Sequence, residues 1–268
     1  MRTSNPALNE NVFSGDYSSN PMTLKGTVFK TYVLLVFLSI GFLFTWNATT
    51  NGYKEAFEKQ KSNPQFNEEG KPVPIQIEVP SNVGSFVLTG ALGGFCVALF
   101  LIFNPSLAPY LSPVYAVLEG VALGAISAIF EAKYPGIVLQ ATSGTFGTLF
   151  GVLIAYNLGL KATDNFKLGV VAATFGVFVI YVADLLLSFF GLYIPFINDN
   201  SVYGIAFSLF VVVLAAFNLV LDFDFIENGV SNKCPKYMEW YGAFGVLVTL
   251  VWLYIEILKL LAKIRSKD

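Results

Sequence analysis

A chain of 268 residues with 55% hydrophobic and only 13% charged residues, and a mean hydropathy of +0.64, departs from soluble domains, in which about a quarter of the residues are charged. Its 16 basic and 18 acidic residues nearly cancel, so there is no strongly basic face for nucleic acid. The absence of histidine removes the usual general base of serine and cysteine hydrolases and the commonest metal ligand. A membrane protein remains, with carboxylates as its only strong proton-handling groups.

Residues 1–26 are polar, rich in Asn, Ser and Pro, and lack the apolar core of a secretion signal; they read as a tail. Seven apolar runs follow, over 28–48, 84–103, 111–131, 135–157, 167–190, 202–223 and 241–262. Each is close to the ~20 residues a helix needs to cross the hydrocarbon layer. The fold class is therefore all-α: a polytopic helical bundle over residues 27–268 with seven transmembrane helices.

Between the first two runs, residues 49–83 form the one sizeable polar insertion, an extramembrane loop. Within it, 51–61 has the pattern of a short amphipathic surface helix and 72–80 alternates like an extended segment. The join at 131–136 is short enough for a tight helical hairpin. Gly120 and Gly124, and again Gly147 and Gly151, form GxxxG spacings that let helix backbones approach closely, so both are expected to pack. Trp46, Tyr110, Tyr115, Trp240 and Tyr241 fall near run ends, as an aromatic belt at the membrane surface requires. Lys and Arg nearly balance between the two sides, and the Lys of the long loop are mixed with Glu, so the N-terminus is placed inside. Cys96 and Cys234 have no metal-ligand spacing and are read as free thiols.

Ionisable groups at bilayer depth are expensive, at least ~2.5–3.5 kcal/mol at a helix centre, and are functional by default. Asp222 closes a long run without charge and points back toward the bundle, whereas Asp224, about 200° around the helix, shares a face with Glu227 and Asn228 at the water boundary. Asp224 and Glu227 are therefore read first as a solvated helix end. Glu119 lies deep in the third run and Asp184 near the end of the fifth; each is either a packing contact or the lining of a polar cavity. Glu256 has Lys259 at i+3 and Lys263 at i+7, which a membrane-boundary ion pair explains.

Several short motifs, taken in order, resemble the bacterial branch of the Bax inhibitor family, the transmembrane Bax-inhibitor-motif proteins, over about residues 84–262. They are Gly120-Val121-Ala122-Leu123-Gly124 in the third run, Val138-Leu139-Gln140-Ala141 with Ser143-Gly144-Thr145 in the fourth, and Leu221-Asp222 with Ile226 closing the sixth. Ile255-Glu256-Ile257-Leu258-Lys259 in the seventh is similar too. The polar first loop and the tail mark a distinct subfamily. The resemblance implies a seven-helix bundle wrapped around its last helix, a slow pH-sensitive calcium leak and a gate made of two aspartates. One of the pair carries over to Asp222; where the second belongs, this chain has Thr249. Either Asp184 or Glu119 substitutes from another helix, or pH gating is lost, because a shared proton needs two carboxylates close together.

The expectation is an integral protein of the bacterial cytoplasmic membrane, not an enzyme and without a resident cofactor, in which Asp222, Glu119 and Asp184 line a cation path. Asp224, Glu227, Glu256, Thr249 and Gln140 carry lower weight. Calcium is the expected permeant ion, bound transiently at Asp222, since hard divalent cations take oxygen ligands. Beyond the lipid bilayer, the rival expectation is a non-conducting regulator that binds other membrane proteins, such as quality-control proteases. An intramembrane aspartyl protease using Asp184 and Asp222 is a third reading, and no Gly-x-Gly-Asp surrounds either residue.

Overall fold

A computed structural model describes residues 20–62, 83–159 and 161–266. Among these there is no strand. The helices are α1 (Leu24–Ser62), α2 (Val83–Phe103), α3 (Ala108–Lys133), α4 (Ile137–Asn157), α5 (Asp164–Ser188), the short α6 (Pro195–Asn198), α7 (Val202–Ser231) and α8 (Met238–Arg265). All but α6 are long and apolar enough to cross a membrane, seven in all among the described residues. The protein is an integral membrane protein.

Local sequence explains the helix boundaries. Thr163 and Ser201 cap α5 and α7, their hydroxyls accepting from Phe166 N (3.3 Å) and Gly204 N (3.1 Å). The hairpin between α3 and α4 is tight: Gly136 takes the left-handed conformation at φ 81°, and the Glu131 carboxylate accepts from Gly136 N (2.5 Å) and Val138 N (3.1 Å). Two boundaries differ from the sequence reading. α1 runs unbroken to Ser62, so residues 51–61 continue the first span and are not a separate surface helix. α7 runs to Ser231, which places Asp222 nine residues, about 13 Å, inside its end. The alternating stretch 72–80 and the tail up to residue 19 lie outside the described residues.

The last helix is the axis. In α8 67% of the most apolar stretch is buried, against 50% in α3 and α7 and 17% or less in the other four spans. α1, α3, α4 and α7 pack directly on it, while α2 lies mainly on α3 and α5 mainly on α7. Residues such as Tyr241, Phe244, Leu247, Leu250 and Leu258 fill the core between them. Tyr115 and Tyr241 are buried there, with Tyr115 edge-on to Phe244 at 4.9 Å, so these two belong to the core and not to a surface belt. Tyr110 is exposed.

Glycine decides the closest contact. A Cβ on Gly120 would meet the Leu38 carbonyl oxygen, and one on Gly124 the Phe42 carbonyl oxygen and Thr45 Oγ1. The first GxxxG thus seats α3 against the backbone of α1. The second does not pack: nothing lies within 4 Å of a Cβ built on Gly147 or Gly151, and both residues are exposed on α4.

Where α1 begins, it is tied to α8. Met22 N donates to Cys234 O at 2.8 Å, and the fully buried Glu239 carboxylate in the first turn of α8 takes Thr23 N (2.8 Å), Thr23 Oγ1 (2.9 Å), Lys236 Nζ (2.8 Å) and Lys30 Nζ. An acid in the first turn of a helix also faces its positive dipole end. Cys96 is exposed and Cys234 buried, both as free thiols, and burial pushes the Cys234 thiol up.

Candidate functional site

α7 and α8 run antiparallel and pack along their length, so a polar residue on one is met by the other. Asp222 is fully buried. Thr249 Oγ1 donates to Asp222 Oδ2 at 2.5 Å, and it also reaches Gly245 O at 3.3 Å. A carboxylate taken out of water needs such donors, because its desolvation cost is several kcal/mol and a hydrogen bond to a charged group returns only ~1.5–3 kcal/mol. The pair stands about 16 Å along α8 from Met238, near the middle of a ~30 Å hydrocarbon layer.

One spacing organises the rest. Thr249, Glu256 and Lys263 are seven apart, and seven residues turn an α-helix almost exactly twice, so all three share one face of α8. All three are buried. Glu256 Oε2 accepts from the Tyr181 hydroxyl of α5 at 3.0 Å and Oε1 from Lys259 Nζ at 3.1 Å. Lys263 Nζ does not join Glu256; it donates to Gly204 O in the first turn of α7 at 3.1 Å. On α7 itself Asn218, one turn from Asp222, donates through Nδ2 to Thr174 Oγ1 of α5 at 2.9 Å. A buried polar stripe therefore runs from mid-membrane toward the C-terminal end of α8.

That end opens. A cavity of about 790 Å³ lies between α3, α5, α7 and α8, lined by Lys133, Tyr181, Asp184, Ser208, Lys259 and Lys263 among others. Tyr181 and Lys259 are thus both walls of the cavity and partners of Glu256, and Glu256 stands two helical turns, about 10 Å, from Thr249. The Lys259 ammonium lies over the Tyr181 ring at 4.9 Å.

The other acidic residues lie apart from this stripe. Asp184 lines the cavity but accepts from Ile194 N at 2.8 Å, fastening the connection that follows α5. Glu119 sits between α2 and α3, against Gly94 and within hydrogen-bonding reach of the Tyr115 hydroxyl. Asp224 is not a solvated helix end. Its side chain is only 14% exposed and holds Lys167 Nζ of α5 at 2.6 Å, with Asn228 Nδ2 at 2.9 Å. Glu227 accepts from the Tyr156 hydroxyl and faces Lys161 at 3.6 Å. Gln140 is exposed on α4 and faces away from the stripe. Among the described residues no group of three or more Cys, Asp or Glu could hold a metal ion.

The model of the Bax inhibitor 1 like family matches the chain over residues 5–266. The chain belongs to the Bax inhibitor 1 like family. No curated protein and no solved structure matched it. Within this Bax inhibitor 1 like chain, the two positions that the motif resemblance paired, Asp222 and Thr249, are in direct contact. The partner of Asp222 there is a hydroxyl and not a second carboxylate.

Several features escaped the sequence reading. Tyr181 and Asn218 are polar groups on apolar helices, and only the packing of α5 against α7 and α8 gives them partners. Glu239 was missed because it lies just outside the apolar run that begins at 241, although an acid opening a helix is a legible signal. The i+7 spacing of Glu256 and Lys263 reads as an ion pair, and the place of Thr249 one heptad earlier on the same face was missed because its chemistry differs.

Proposed function

We propose that this Bax inhibitor 1 like protein is a cation leak, with calcium as a permeant ion, whose path follows the polar face of α8 and is held shut at the Asp222–Thr249 contact. The observation that carries this is the position of Asp222: a fully buried carboxylate at mid-membrane, at the inner end of a buried polar stripe that reaches an open cavity. Intramembrane carboxylates facing a bundle interior mark ion or proton pathways. Carboxylate, hydroxyl and backbone carbonyl oxygens are the donors a hard cation takes.

Lys259 has a defined part in this scheme. Its ammonium occupies Glu256, the first carboxylate of the stripe behind the cavity wall, so it acts as a tethered competitor that the permeant ion displaces. Opening then requires Thr249 to release Asp222. With a hydroxyl in place of a second carboxylate, a pH response at this point is the titration of one group, without the splitting of a shared-proton pair.

The test is calcium influx into dye-loaded liposomes holding the purified protein, wild type against Asp222→Asn, at acidic and neutral pH. Asparagine keeps an acceptor for Thr249 and removes the charge. Loss of the leak, or of its pH dependence, in folded Asp222→Asn protein supports the reading. A wild type no leakier than empty liposomes would assign the protein instead to the class of non-conducting membrane regulators.

A further inference from the structure

The bundle is not closed between α1 and α4. α1 packs on α3, α7 and α8, and α4 on α3, α7 and α8, and between the two runs a cleft whose floor is the central helix. Its first part is a cavity of about 580 Å³ that begins at Leu24 and ends at Leu35 on α1, with Phe146 at the same depth on α4 and Val246 of α8 beneath. A second cavity of about 330 Å³ shares Leu35 and Phe146 and continues to Leu43. The walls are mainly aliphatic and aromatic, with hydroxyls of Thr27, Thr31, Ser39, Thr142 and Thr145 among them.

The first part has the depth of one leaflet. Leu24 and Leu35 are eleven residues apart, about 16 Å along the helix, which is half of a ~30 Å hydrocarbon layer. Its outer end is charged. Lys161, Glu227 and Tyr156 line it there, where α1 begins. The Lys161 side chain is 70% exposed and that of Glu227 41%, and the two stand 3.6 Å apart, one cation beside one anion at the water boundary. The Tyr156 hydroxyl donates to Glu227 and fixes the carboxylate at the rim of the slot.

We propose that this cleft seats one phospholipid with a primary-amine zwitterionic head group, from the leaflet on the side where α1 begins. The phosphate pairs with Lys161, the head-group ammonium donates to Glu227, and one acyl chain lies between α1 and α4 on α8. An –NH₃⁺ group offers three donors to a carboxylate, whereas a trimethylammonium offers none, which sets ethanolamine above choline. An anionic head group without an amine offers Glu227 no further donor and sets like charge beside it. The seat is independent of the leak: it needs only the cleft and its charged rim.

The measurement is native mass spectrometry of the full-length protein, delipidated in detergent and titrated with phosphatidylethanolamine, phosphatidylcholine or phosphatidylglycerol of identical chains. One equivalent of the ethanolamine lipid should be retained about tenfold better than either competitor, the low end for a hydrogen bond to a charged group because the rim is partly exposed. Glu227→Gln should lower ethanolamine retention to the choline level, Lys161→Met should weaken both, and Leu153→Trp, which fills the slot, should remove the bound lipid. Thermal unfolding of each variant establishes that it is folded, and Glu227→Gln carries the test if Leu153→Trp is not. Equal retention of the three lipids, a preference for phosphatidylglycerol, or cross-linking from a Leu153→Cys variant to a polypeptide seated in the cleft would each overturn the proposal.

Discussion

Replacing Thr249 by valine removes one hydroxyl at almost constant shape from a site that is 3% exposed. The structure loses the 2.5 Å hydrogen bond to Asp222 Oδ2 and a weaker one to Gly245 O, and the carboxylate must draw back from a methyl group that stands where the hydroxyl stood. A hydrogen bond to a charged group is worth ~1.5–3 kcal/mol, and water cannot replace it at this depth. For a chain of this size each kcal/mol moves the unfolding midpoint by ~2–4 °C, so Thr249→Val should lower Tm by roughly 3–12 °C. If the same bond holds the path shut, its loss shifts the closed-to-open equilibrium by an equal amount, about 10- to 150-fold at ~1.4 kcal/mol per decade. The assay pairs detergent unfolding with calcium influx in liposomes. A lower Tm with an unchanged leak would show that the contact is purely structural. No change in either would refute the contact itself.

Other expectations follow from the same geometry. Thr249→Asp places a second carboxylate beside Asp222, and the pH dependence of the leak should change from a single-proton titration to two separated steps; an unchanged profile would show that the position does not face Asp222. Around Glu239, Lys30→Met removes a cation whose side chain is 14% exposed, and Lys236→Met one that is 44% exposed, so thermal unfolding should show a loss of about 3 kcal/mol for the first and under about 1 kcal/mol for the second. Equal losses would contradict the burial argument. At the glycines, Gly124→Ala drives a methyl into the Phe42 backbone and should cost about 1–3 kcal/mol, whereas Gly147→Ala meets open space and should be neutral or gain up to ~1 kcal/mol in helix propensity, both read from unfolding midpoints.

Much of the architecture was legible because one physical demand governs it: backbone polar groups in lipid must bond within their own helix, so apolar runs of the right length become spans. Seven runs became seven spanning helices, and Asp222 was singled out by charge in an apolar setting alone. Length and hydropathy also fixed the tight hairpin at 131–136. Hydropathy could not see that α7 persists to Ser231, because polar residues such as Asp224 and Glu227 end an apolar run without ending a helix.

Pairing across helices belongs to the tertiary structure. The same GxxxG spacing occurs at Gly120 and at Gly147, and only the approach of α1 makes the first a contact and leaves the second open. Asp224 read as solvated because its partner Lys167 lies 57 residues away on α5, and Glu239 gained Lys30 from 209 residues away. Sequence determined which stretches had to lie in the membrane, since that follows from the summed transfer free energy of an apolar run; which polar groups were buried, and which carboxylate met a hydroxyl, a lysine or a tyrosine, was decided by helix rotation and neighbour, quantities that exist only once the bundle has packed.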